Sequence, residues 1–119
     1  GLPALLNFFL FFLFVKTRRF IELLRSRARR IVFTRHAEKR SEQRFLPRMV
    51  FEADLFDSFP LAVFEQESEF EGERKFDVYY PQKAGYFHRY VITLNSELRV
   101  ITLMRVSKEL QDFVAGGFK

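Results

Sequence analysis

"IVFTRHAEKRSEQR", Ile31 to Arg44, decides the fold. The β-branched pair Ile31 and Val32, with Phe33, reads as a short strand. Thr34 then stands where a helix N-cap is wanted, because its hydroxyl accepts a free N–H of the first turn. From there to about Phe45 the chain reads as a helix. On it His36, Arg40 and Arg44 recur at i, i+4 and i+8 and share roughly one face. His36 falls in the first turn, near the positive end of the helix dipole, which favours a neutral imidazole. The arginines offer planar donor forks matched to phosphate. The stripe is either the polar face of an ordinary surface helix or a cationic cluster that holds an anion.

Downstream, Pro47 suits the first turn of another short helix, with Val50, Ala53 and Leu55 or Phe56 facing inward. Four strand-like stretches follow: Leu61–Glu69, Lys75–Tyr80, Tyr86–Leu94 and Leu98–Val106. Asn95, Ser96 and Glu97 turn the last pair into a hairpin, and "PQKAGY" joins the pair before it. The end, "SKELQDFVAGGFK", reads as a short helix capped by Ser107 and stopped at Gly116–Gly117. The expected class is α+β: N-terminal helices packed on an antiparallel sheet of about four strands, plus an extra N-terminal helix.

That extra helix, residues 1–30, has two parts. "GLPALLNFFLFFLFV" is apolar apart from Pro3 and Asn7. As a helix, Leu2–Val15 reaches about 21 Å, short of a hydrocarbon core of about 30 Å. It has no basic start and no small-residue cleavage site, so it does not read as a cleavable signal peptide. It fits the end of a membrane anchor, a helix buried against a partner or second copy, or a core helix. Self-association through residues 2–15 is favoured, since no polar face remains. "KTRRFIELLRSRARR" then turns amphipathic, with Phe20, Leu23, Leu24 and Ala28 at helical spacing. Its other face carries Arg18, Arg19, Arg25 and Arg29, a solvated face or one that binds phosphate or a membrane surface.

The net charge of +5 is unevenly spread. Residues 1–50 hold twelve Lys/Arg against three acids, +9, and residues 51–119 hold eight against twelve, −4. Glu65, Glu67, Glu69, Glu71 and Glu73 alternate, and on a strand all five would share one face. No metal site follows from them. The absence of cysteine removes disulfides and zinc-finger ligand sets, and fits a cytoplasmic protein. With two histidines a histidine-rich metal site is not expected, and no cofactor is implied.

The pattern T-x-H-A-x-x-R-x-x-x-R, carried by Thr34, His36, Ala37, Arg40 and Arg44, resembles the opening of a family of small prokaryotic domains. "RYVITLNSELRVITLMR", Arg89 to Arg105, is similar to that family's closing hairpin. Such domains look like distant relatives of the RelE/ParE-type toxins, a helix–helix–sheet fold that includes metal-free ribonucleases. The resemblance covers about residues 31–106 and implies a RelE-like domain over 31–119, RNA as ligand and an antitoxin protein as partner. Ala37 would be a packing position. The N-terminal thirty residues and the acidic segment depart from the family pattern.

Metal-independent RNA cleavage needs a base for the 2′-OH proton, cations for the phosphorane and an acid for the leaving oxygen. His36 and His88 are candidates for base or acid, and Arg40 and Arg44 for stabilisers, with Arg89, Arg99 and Arg105 as further cations. Arg18, Arg19, Arg25, Arg29 and Arg35 are the candidate RNA contacts. On the sheet His88, Tyr90 and Ile92 share one face and Arg89 the other. Arg99, Ile101, Leu103 and Arg105 are expected to share a face. The alternative is a non-catalytic interaction module that self-associates through its apolar helix, its arginines paired with Glu65–Glu73. The place of that acidic segment discriminates: beside His36 it argues against RNA cleavage.

Overall fold

The computed structural model describes residues 2–27 and 30–107. Helix α1 (Leu2–Arg27) leads through β1 (Ile31–Phe33) to α2 (Arg35–Gln43) and α3 (Arg48–Asp57). The remaining strands are β2 (Ala62–Gln66), β3 (Arg74–Pro81), β4 (Tyr86–Leu94) and β5 (Leu98–Ser107). The class is α+β. The sheet has five strands in the order β1-β5-β4-β3-β2, and β1 runs parallel to β5. The expected four-stranded antiparallel sheet is corrected accordingly. Three residues ahead of a helix cap look too short to matter, yet Ile31–Phe33 take up the free edge of β5. The helix expected after Ser107 lies outside the described residues.

The local signals account for the elements. Thr34 is the N-cap of α2, its hydroxyl accepting from the Ala37 amide at 3.1 Å. Pro47 caps α3 from one residue before the helix rather than within its first turn. A single 3₁₀ turn at Lys83–Gly85 joins β3 to β4, and Gly85 takes the positive φ of 82° that this turn requires.

Where β1 ends, α2 continues along the edge of β5. The Thr34 amide donates to Val100 O at 3.1 Å and its hydroxyl to Ile101 O at 3.3 Å. Arg44 donates to Leu103 O at 3.3 Å, and Arg105 donates back to Phe45 O at 3.1 Å. The carbonyls of an otherwise open edge are thus taken up by a helix, which blocks pairing with another strand.

The core lies between the helices and one sheet face. Phe20 and Leu24 of α1, Ala37 of α2 and Phe51 and Leu55 of α3 meet Val63, Phe76, Val78, Tyr80, Tyr90 and Ile92. Phe51 is wholly buried, edge-on to both Phe33 (5.3 Å) and Tyr90 (4.9 Å), a burial that contributes about 1.5–3 kcal/mol. From Thr17 onward α1 is therefore part of this packing, with Phe20 edge-on to Phe76 at 5.1 Å. Before Lys16 it projects from it.

A bulge redirects β5. Val91 pairs with Thr102 and Ile92 with Val100, which leaves Ile101 unpaired. Leu98 and Val100 therefore share the core face with Leu103 and Arg105, and Arg99 faces away. The common face expected for Arg99, Ile101, Leu103 and Arg105 fails for this reason, since strict alternation does not survive an inserted residue.

Candidate functional site

Asp54 is an acid in the apolar run "MVFEADLFDSF" of α3, and it points into the protein. Phe51, Asp54 and Leu55 form the buried face of α3, while Ala53 and Phe56 are exposed. Of the inward face expected from apolar spacing, Leu55 is buried and Val50 packs on the core, whereas Ala53 is corrected to an exposed position and Asp54 takes an inward one. The reason is that Asp54 finds donors there. Its Oδ2 accepts from His88 Nδ1 at 2.7 Å and from the Tyr90 hydroxyl at 2.5 Å. Its Oδ1 accepts from Gln82 Nε2 at 3.0 Å. Alternation along β4 sends both His88 and Tyr90 to the helix side, and Gln82 enters from the β3–β4 connection. Asp54 and His88 are only 5% and 6% exposed.

A carboxylate on Nδ1 fixes the histidine tautomer and ring orientation. With Nδ1 taken by Asp54, Nε2 is the ring nitrogen turned away from the carboxylate. Directly across the strand pair from His88 stands Arg105, exposed and on the same face. Its guanidinium holds Phe45 O, and Arg44 and Phe45 thereby lie against the same end of β5. Phe45 is 79% exposed and carries a left-handed φ of 53°, unusual for an aromatic residue and a form of strain that clusters at functional sites.

Two phenols frame the carboxylate. Burial, then the hydrogen bond to Asp54, pushes the Tyr90 hydroxyl far above its ordinary 10.0. Burial and the Asp54 charge do the same to Tyr80, whose hydroxyl is buried with no hydrogen-bond partner among the described residues. In the unfolded chain both phenols ionise near pH 10, whereas in the fold they stay protonated. Stability is therefore undiminished by them below pH 10 and declines as pH rises above it. Absorbance at 295 nm is expected to show Tyr80 and Tyr90 ionising only together with unfolding; smooth ionisation near pH 10 in the folded protein would contradict the burial.

The other predicted residues fall in several places. His36 is exposed, its Nε2 3.4 Å from Thr102 Oγ1. Thr102 pairs with Val91 and faces away from His88, so the two histidines do not share a site. The Arg40 side chain donates to Gln43 Oε1 of its own helix, at 3.4 Å. Arg89 gives both arms of its fork to Asp77 at 2.7 Å on the opposite sheet face, and Arg99 pairs with Glu97 at 3.1 Å. Neither is a free phosphate contact. Arg18, Arg19, Arg25 and Arg35 are exposed; Arg29 lies outside the described residues.

The acidic segment does not form a stripe. β2 ends at Gln66, so of the five glutamates only Glu65 sits on the strand. Arg74 of β3 grips Glu65 at 2.8 and 2.7 Å and, with the charge of Lys16 adding, holds its carboxyl below the usual range. For Glu65 the partner is thus the neighbouring strand. β2 is the sheet edge opposite to β1 and α2, which keeps the acids away from His36 and Arg44.

Among the described residues no three His, Cys, Asp or Glu side chains come together to hold a metal ion. No protein-family model, curated protein or solved structure matches the chain.

Proposed function

We propose that the chain is a toxin-like RNA-binding domain that cleaves RNA through His88, oriented by Asp54. The observation that carries this is the 2.7 Å Asp54–His88 pair, placed on the strand position directly across from Arg105. Such a pair leaves Nε2 as a base held in one orientation, the arrangement used to activate hydroxyl nucleophiles. With 8% of the His88 side chain open to solvent, a ribose 2′-OH approaches from that side. Its proton passes to Nε2, the 2′ oxygen bonds to phosphorus, and the 5′ oxygen departs with a proton from water. Arg105 and Arg44 are placed to meet the charge that builds on the phosphoryl oxygens.

Phe45 supplies the second element, an exposed ring beside two arginines on which a base stacks. Glycine at position 45 keeps the positive φ without strain and deletes the ring. Phe45→Gly is expected to weaken binding of single-stranded RNA by about 1–3 kcal/mol while leaving the melting temperature equal or higher. Filter binding at fixed salt, beside thermal unfolding, reads both. Unchanged affinity would remove Phe45 from the site. The resemblance adds an antitoxin protein as the partner that would cover this surface.

The exposed apolar half of α1 favours a second reading, a non-catalytic module whose purpose is attachment. The cleavage assay in EDTA separates the two, since that module leaves RNA intact.

A further inference from the structure

The N-terminal half of α1 presents large apolar side chains to solvent on every side. Leu5, Leu6, Phe8, Phe11, Phe12 and Phe14 are between 48% and 71% exposed, and at 100° per residue they are spread around the whole circumference. A protein groove covers one side of a helix; these residues require an apolar surround. Immediately after them come the exposed cations Lys16, Arg18 and Arg19. Two of these reach back toward the apolar end: Lys16 Nζ lies 4.8 Å from the Phe12 ring centre, and the Arg18 guanidinium 5.9 Å from that of Phe14. Glu22 is the only acid on α1.

We infer that the apolar end of α1 inserts into an anionic lipid bilayer, with Lys16, Arg18 and Arg19 against the lipid phosphates. Charge decides between this and a second copy of the chain. Parallel copies would gather Lys16, Arg18 and Arg19 of each helix together; antiparallel copies would lay them on the partner's phenylalanines. Neither brings the cations a new counter-charge beyond Glu65, whose carboxyl already feels Lys16. Hydrocarbon surrounds the helix on all sides, and a negative headgroup layer receives the basic collar beneath it. Among the described residues no helix is long and apolar enough to cross a membrane; what is inferred is an insertion of the described segment. The site is separate from His88 and Asp54 and does not depend on the proposed activity.

The test is co-sedimentation of the full chain with vesicles of phosphatidylcholine alone and of phosphatidylcholine mixed with phosphatidylglycerol. Binding is expected on the mixed vesicles, falling as salt is raised. Replacing Lys16, Arg18 and Arg19 together by glutamine lowers it about a hundredfold, at about fivefold per cation. Phe8→Glu with Phe12→Glu abolishes it, and circular dichroism stays unchanged because all five side chains are exposed. Equal binding to both vesicles, unmoved by the glutamine variant, would overturn the anionic contact. A chain that ignores both vesicles would overturn the inference outright. If it then sediments as an oligomer that Phe8→Glu dissolves, a second copy is the occupant.

Discussion

Replacing Asp54 with alanine is expected to lower the stability of the fold by about 3–5 kcal/mol, the large loss that follows when a buried hydrogen-bond network is broken. Three donors converge on this carboxylate: His88 Nδ1, the Tyr90 hydroxyl and Gln82 Nε2. Without it His88 Nδ1 and the Tyr90 hydroxyl lose their acceptor inside the protein, at about 1–3 kcal/mol per buried group, while Gln82 Nε2 keeps Tyr80 O at 3.3 Å. Asp57, three residues on and exposed, is the matched control, and Asp57→Ala is expected to stay within about 0.5 kcal/mol. Urea unfolding of both variants decides the matter. A loss at Asp54 no larger than at Asp57 would mean that the network does not hold the helix to the sheet. A double-mutant cycle with Tyr90→Phe should give strong non-additivity, since the two groups share one hydrogen bond.

The second large effect concerns activity. His88→Ala is expected to reduce metal-independent RNA cleavage by about 10²–10⁴-fold, the usual contribution of a positioned base. Arg105→Ala reduces it as well, while His36→Ala leaves it unchanged, because His36 is on the other side of β5 from His88. Cleavage in EDTA by the three variants, each checked for an intact melting transition, measures this. Loss in His36→Ala with activity retained in His88→Ala would move the site to the α2 stripe. Intact RNA with the unaltered chain would end the enzymatic reading and leave the attachment module.

Much of the fold was legible because its signals are local. Thr34 before a polar helix, Asn95–Glu97 between two apolar runs and Gly85 at a turn act through their own backbone or near neighbours, so their residue types alone locate the elements. The apolar start of α1 was legible for the same reason: no arrangement of Leu5–Phe14 hides every side. The parallel pairing of β1 was not, since Ile31–Phe33 and Leu98–Val100 are far apart in sequence. Nor was the bulge at Ile101, which split Arg99 from Arg105 and redrew the candidate cation cluster. The acidic alternation misled because it continues beyond Gln66, where the strand has already ended.

His36, Arg40 and Arg44 stood out because helical spacing can be counted along a chain. Asp54 could not stand out, since an acid in an apolar helix reads as solvent-facing until its donors are known. Those donors come from Gln82, His88 and Tyr90, at least 28 residues away. The sequence by itself determined the elements, the basic and acidic halves and the exposed apolar helix, all of which depend on short-range chemistry. Only the tertiary structure decided which charge is buried, which histidine is oriented and which arginine stands beside it, because burying a carboxylate is tolerable only where the folded chain converges its donors.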